Sequence, residues 1–250
     1  MYLYLYAPFL KQKKYARNLA LIEGRITDYG ITGKISQLSQ FLKFASAIKE
    51  FGVRKLSTLV VVGDDTLLEE AINACALSPV VLGYIPMVEQ GYKDALGLSY
   101  GAQAVDVLAA RRVVKLDLGR IQDRFFLGEV CAEGKGLEVH TPTFSIFPKD
   151  FSRVEVVNLG ETGDSAVDGQ LDVRLKPYVG SFFKKPGLES VVHTTSCRIK
   201  SAKPLPINCG GAQILKTPIQ IDIVPEAIRM VLGRSVSSRF KSKTKPKKRK

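Results

Sequence analysis

The chain has 250 residues, of which 45% are apolar and 24% charged, with a formal net charge of +13. That is enough chain for one large domain or two small ones with real cores, and the balance excludes wholesale disorder. No apolar run approaches the ~18 residues a membrane-spanning helix needs. The opening Met1-Tyr2-Leu3-Tyr4-Leu5-Tyr6-Ala7-Pro8 has no basic start or cleavage site. Cys75, Cys131, Cys197 and Cys209 show no C-x-x-C spacing. The expectation is a cytoplasmic protein with reduced thiols and neither a zinc site nor a disulfide framework.

In chain order, residues 2–7 are short, apolar and aromatic, a buried first strand. Residues 11–29 place Tyr15, Leu19, Ile22 and Ile26 near helical spacing, and Gly30 stops them. Residues 31–38 read as a weak second strand and 41–51 as a helix ended by Gly52. Leu59-Val60-Val61-Val62 is a β-branched run typical of a buried strand. Gly63-Asp64-Asp65-Thr66 turns out of it into a helix over 67–76, with Leu67, Leu68, Ala71 and Cys75 on one side. Residues 80–85 form another buried strand, closed by Pro86. Strands alternating with helices at this spacing predict an open parallel α/β sheet.

Near residue 113 the pattern changes. Residues 113–121, 124–130, 137–140, 154–157, 171–175, 191–200 and 219–224 are strand-like, and Leu171/Val173/Leu175 and Ile219/Ile221/Ile223 alternate cleanly. Strands without intervening helices predict an antiparallel β-sandwich. The organisation read from the sequence is an α/β nucleotide-binding-like domain over 1–112 and a β-sandwich over 113–225. A segment over 226–238 returns to the α/β domain, and a polybasic tail spans 239–250.

From Arg239 to Lys250 eight of twelve residues are Lys or Arg and none is acidic, so the body of the chain carries only +5. Such a run repels itself and buries nothing, so the expectation is a disordered tail. It suits anionic lipid headgroups, at roughly 1 kcal/mol per basic residue near the surface, or nucleic-acid phosphates, or it serves only solubility. No clustered aromatic-and-basic stretch stands out in the body, which disfavours nucleic acid. An open edge of the β domain offers a place for a homodimer.

At Gly63-Asp64-Asp65-Thr66 two readings stay open. Backbone N–H groups at a helix N-terminus hold phosphate, with Gly63 permitting approach and Thr66 donating. Alternatively, Asp65 or Thr66 caps the helix and Glu69 completes a capping box.

This stretch resembles the bacterial diacylglycerol/lipid kinase family, which shares its fold with NAD kinases. The family has a strand, G-G-D-G-T and a helix containing N-E. Gly63, Asp64, Thr66 and Glu69 match, while Val62, Asp65 and Leu68 depart. Gly83-Tyr84-Ile85-Pro86 resembles the family's strand ending in I-P. Ala95-Leu96-Gly97 keeps the L-G of a later helix, but Glu89 stands where the family has a phosphate-facing small residue. Asp168-Gly169-Gln170-Leu171-Asp172 resembles D-G-x-L-D, and residues 219–229 resemble the closing strand, P and A-L-R.

The resemblance implies that fold, ATP-dependent phosphorylation of a lipid hydroxyl, ATP at Gly63, Asp64, Thr66 and Glu69, and a structural Mg²⁺ held by Asp168 with the carbonyls of Ser165 and Gln170. The plain alternative at Asp168-Gly169 is a β-turn. The family's D-G-E acids, the general base among them, fall on Gly210 and Ala212, which carry no carboxylate. The implied activity is therefore impaired, or the chain is a pseudokinase acting as a membrane-surface or partner-binding module.

Overall fold

The computed structural model describes residues 1–38, 46, 56–89, 91–148, 152–160, 166–177, 189–209 and 212–236. The chain divides into two compact units. One comprises Met1–Leu116 and the chain from Glu226 onward; the other is Asp117–Pro225.

The first unit is a parallel sheet. Strands β1 (Tyr2–Tyr6), β2 (Gly33–Gln37), β3 (Thr58–Gly63) and β4 (Val81–Pro86) run in the order β2-β1-β3-β4, all pairs parallel. Leu59, Val60, Val61 and Val62 are fully buried, as the β-branched run requires of a strand covered on both faces. The helix Asp65–Cys75 covers β3 and β4 with Leu67, Leu68, Ala71, Ile72 and Cys75. The helix Ala104–Ala110 packs so closely on β4 that a Cβ at Gly83 would lie 2.7 Å from Leu108 Cδ1. Of the predicted helix over 41–51 only Ser46 is among the described residues, and it is helical.

The helix predicted from Lys11 begins only at Ala16, after 3-10 turns at Pro8–Lys11 and Lys13–Tyr15. Its first turn has no acid and follows a run of lysines, and cations at a helix N-terminus oppose the peptide dipoles. Ile22 and Ile26 are buried, and Gly30 ends the helix at φ +63°.

The second unit is built from strands β5 (Val113–Ile121), β6 (Arg124–Phe126), β7 (Glu129–Gly134), β8 (Leu137–His140), β9 (Ser145–Ile146), β10 (Ser152–Val157), β11 (Leu171–Pro177), β12 (Ser190–Thr194), β13 (Ser196–Ser201), β14 (Pro206–Cys209), β15 (Ala212–Lys216) and the first part of β16 (Ile219–Val231). One layer is an antiparallel sheet in the order β12-β11-β10-β7-β14-β15. The other pairs β16 with β13, β13 with β8 and β8 with β9, with β6 paired to β5. Alternate residues of both layers meet in one core: Val130, Val154, Val156, Leu171 and Val173 from the first, Val139, Cys197, Ile199, Ile219 and Ile221 from the second. This is the expected sandwich.

Three strand readings are corrected. Residues 191–200 form two strands in different layers. The break is a corner at Thr195, where Thr194 Oγ1 accepts the Ser196 N–H and donates to the Ser196 carbonyl. Residues 124–130 break at Leu127-Gly128, whose carbonyls are taken by the Asn158 side chain and backbone. The last strand continues past Pro225 to Val231, and its Arg229 and Met230 pair parallel with Val81 and Leu82 of the first unit's sheet.

Candidate functional site

Gly63 is the last residue of β3, and Asp64 leaves it in an extended conformation as the helix N-cap. Asp64 Oδ1 accepts the Leu67 N–H at 3.0 Å, while the Asp64 carbonyl accepts the Leu68 N–H. The cap is therefore Asp64, one residue before Asp65 and two before Thr66. Glu69 forms no capping box, because Leu67 occupies the third helical position. Gly63 answers to packing: a Cβ there would lie 2.8 Å from Ala7 Cβ and 3.2 Å from Leu67 Cδ2.

Asp65 carries the feature that the sequence did not disclose. Its side chain turns back against the segment after β4. Oδ1 accepts the Tyr84 hydroxyl at 2.8 Å and Oδ2 accepts the Tyr92 N–H at 2.9 Å. Gly91, at φ +102°, makes room for it, since a Cβ there would fall 1.7 Å from Oδ2. Tyr92 in turn donates its hydroxyl to Glu69 Oε1 at 2.7 Å. Burial raises the Asp65 pKa, and its two hydrogen bonds only partly offset this. Burial and Asp65 together hold the Tyr84 phenol far above its ordinary range.

Gly63, Asp64 and Glu69 thus meet in one structured turn, with Thr66 exposed on its first helical residues. Two carboxylates stand there, and Asp64 already uses the Leu67 N–H. A phosphate there would meet like charge from the carboxylates beside the exposed Thr66. Glu89, the other departure from the family pattern, pairs with Lys93 at 3.4 Å. It also lines a cavity of about 450 Å³ with Asn18, Leu21, Arg25, Tyr100 and Gln103. None of Gly63, Asp64, Thr66 or Glu69 borders that cavity.

In the second unit the Asp168 turn is held from two sides. Asp168 Oδ1 accepts the Gln170 N–H at 3.1 Å, and Gly169, at φ +72°, donates its N–H to buried Asp117 Oδ2 at 2.8 Å. Asn158 Nδ2 donates to the carbonyls of Asp117 and Leu127, while its buried Oδ1 has no hydrogen-bond partner among the described residues. Ser165 lies outside the described residues. Among the described residues no group of three His, Cys, Asp or Glu side chains is placed to hold a metal ion. Of the three expected ligands, Asp168 and Gln170 lie together in this turn.

Of the predicted acid positions, Gly210 lies outside the described residues, and Ala212 opens β15 opposite Cys209. Both histidines have hydrogen-bond partners. His193 Nδ1 sits 2.6 Å from Asp172, and His140 lies between Ser145 and Glu138. Burial pushes the Cys75 and Cys197 thiols up to about 12, which keeps them protonated and inert.

Sequence reading also missed a cluster. Phe9, Lys11, Lys13, Lys14, Tyr15 and Arg17 form the aromatic-and-basic stretch said to be missing from the body. The Phe9 and Tyr15 rings meet edge to face at 5.4 Å, and Lys14 Nζ lies 4.9 Å from the Tyr15 ring centre. The available signal was four cations in seven residues, with no acid before Glu23.

No protein-family model and no curated protein matches the sequence. Solved structures do match the fold. A diacylglycerol kinase from Bacillus anthracis str. Sterne superposes with a TM-score of 0.77 at 18% identity, covering 94% of this chain and 97% of that one. The chain shares the diacylglycerol kinase fold. A second structure from the same strain, described as a candidate diacylglycerol kinase, gives a TM-score of 0.78 at 18% identity, covering 94% of this chain and 98% of the other. The α/β unit and the sandwich are therefore both parts of one known architecture. Among the described residues no helix is long and apolar enough to cross a membrane.

Proposed function

We propose that this chain is a diacylglycerol/lipid-kinase-like protein that works at a lipid surface, with its ATP-dependent transfer of phosphate to a lipid hydroxyl impaired. The observation that carries the lipid-kinase reading is the fold held in common over 94% of the chain with a diacylglycerol kinase. Impairment is supported by the chemistry at two places. Gly210 and Ala212 supply no carboxylate, and loss of a general base costs typically 10²–10⁴-fold. At the other end of the reaction, Asp64 and Asp65 crowd the turn where Gly63, Thr66 and Glu69 would meet ATP. Mg²⁺ would have to come with the nucleotide, or find at Asp168 and the Ser165 and Gln170 carbonyls a fuller set than the described residues provide.

The second reading is a pseudokinase, a lipid-surface or partner-binding module without transfer. It is favoured by the Asp65 contacts with Tyr84 and Tyr92, which give the turn an internal anion in place of an external one. Incubation with labelled ATP, Mg²⁺ and diacylglycerol in mixed micelles separates the two. Slow transfer that is accelerated by Gly210→Asp with Ala212→Glu supports the impaired kinase. No transfer in either protein supports the pseudokinase, and rapid transfer by the natural chain contradicts both.

A further inference from the structure

The cavity of about 450 Å³ beside Glu89 belongs wholly to the first unit and includes no residue of the Gly63–Thr66 turn. One wall is the helix Ala16–Asp28, whose Asn18, Leu21 and Arg25 recur at the spacing of one helical face. The other is the 3-10 turn Gly101–Gln103 with Tyr100 before it. Glu89 lies just beyond the end of β4, at the carboxyl edge of the sheet where open α/β folds gather their ligands. Arg25 Nη1 donates to the Ala102 carbonyl at 3.4 Å and to both Asp106 oxygens at 2.7 Å. That fixes the guanidinium and leaves its Nε and Nη2 N–H groups without an acceptor among the described residues. Asn18 Nδ2 donates to the Tyr100 hydroxyl at 3.3 Å, so Asn18 Oδ1 and the Tyr100 proton remain available. Gln103 precedes the helix Ala104–Ala110, yet its side chain caps none of the helix N–H groups. Glu89 gives Lys93 only Oε2.

We propose that this cavity binds a neutral polyol, a sugar or cyclitol ring, either free or as the headgroup of a glycolipid. Every hydroxyl of such a ring both donates and accepts, and the cavity offers both: donors on Arg25 and Tyr100, acceptors on Asn18 and Glu89, and each on Gln103. The planar guanidinium and amide groups can each span two neighbouring hydroxyls, and exposed Leu21 offers apolar surface to the C–H face of the ring. The charges cancel, Arg25 against Asp106 and Lys93 against Glu89. A phosphate would therefore meet a cation already neutralised and a carboxylate beside it. A wholly apolar ligand would cover polar groups on five side chains and satisfy none of them. The site goes beyond the lipid-kinase reading and does not depend on it.

The test is saturation-transfer NMR of the full chain, without ATP, against glucose, galactose and myo-inositol at millimolar concentration. At least one of the three is expected to bind saturably. Gln103→Ala and Tyr100→Phe should each weaken it about fivefold to tenfold, the effect of one lost hydrogen bond. Thermal unfolding of Gln103→Ala should stay unchanged, because that side chain is exposed and bonds nothing in the fold. A parallel arm sediments the chain with phosphatidylcholine vesicles, with and without glucosyl diacylglycerol. A gain in partition from the glycolipid that Gln103→Ala removes supports the headgroup as the source, whereas sugar binding without that gain supports a free polyol. Absence of binding to all three polyols overturns the proposal, as does binding that both variants leave unchanged. Tighter binding of glycerol 3-phosphate than of any of the three overturns it in favour of an anion. Because no nucleotide is present, these outcomes leave the phosphate-transfer assay to judge the kinase reading separately.

Discussion

The sandwich buries the carboxylate of Glu155 and the α/β unit half-buries that of Asp65, and the two are treated in opposite ways. In the sandwich, Glu155 is almost covered on β10, yet it lies 2.7 Å from Lys176 and 2.6 Å from Arg153. Burial by itself would raise its pKa, but the two cations outweigh burial and hold it below the ordinary carboxylate range. In the α/β unit, Asp65 has only a phenol and a backbone N–H, so burial prevails and its pKa rises. The first is an ion pair that steadies a sheet face. The second keeps an anion, solvated by neutral donors, in the turn where the fold's resemblance places a nucleotide. The difference lies in partner charge rather than depth.

The contrast can be broken from either side. Glu155→Gln removes the charge that Lys176 and Arg153 share. The expected loss is about 2 kcal/mol, less than for a fully buried pair because both cations reach solvent, read from denaturant unfolding. Asp65→Ala leaves the Tyr92 N–H and Tyr84 hydroxyl without their acceptor, with an expected loss of about 1–2 kcal/mol. No change in stability on Asp65→Ala would mean that these bonds do not tie the turn to the segment after β4.

Acid titration sharpens the same contrast by sign. Glu155 has a lowered folded pKa, so its contribution is present above the ordinary carboxylate range and is lost as pH falls through the folded value. Asp65 has a raised folded pKa, so its contribution is fully present below the ordinary range and is lost as pH rises through the folded value. Stability curves against pH should therefore show the Glu155→Gln deficit shrinking toward acid. Asp65→Asn should gain relative to the natural chain as pH rises from about 4. Parallel curves for the two variants would contradict the opposed shifts.

Much of the fold was legible because its signals are local. The Leu59–Val62 run announced a doubly covered strand, and the alternation at 171–175 and 219–223 announced a half-buried one. The corner at Thr195 was not legible, since residues 191–200 keep one strand-like composition while the chain changes layers. The candidate site was legible only in part. Gly63, Asp64 and Glu69 could be placed on a turn, but the Asp65–Tyr92 bond joins residues 27 apart and leaves no periodic mark. The Phe9–Arg17 surface was overlooked because the tail supplied a larger charge run, and exposure is a property of the folded chain.

Thermal unfolding with millimolar Mg-ATP tests the turn directly, since a ligand bound only by the folded state raises Tm in proportion to RT ln(1 + [L]/Kd). Only a small shift is expected for the natural chain, whose Asp64 and Asp65 meet the phosphates with like charge, and a larger positive shift is expected on Asp65→Gly. A saturable rise in Tm for the natural chain, undiminished relative to Asp65→Gly, would contradict the proposal that its own carboxylates weaken nucleotide binding.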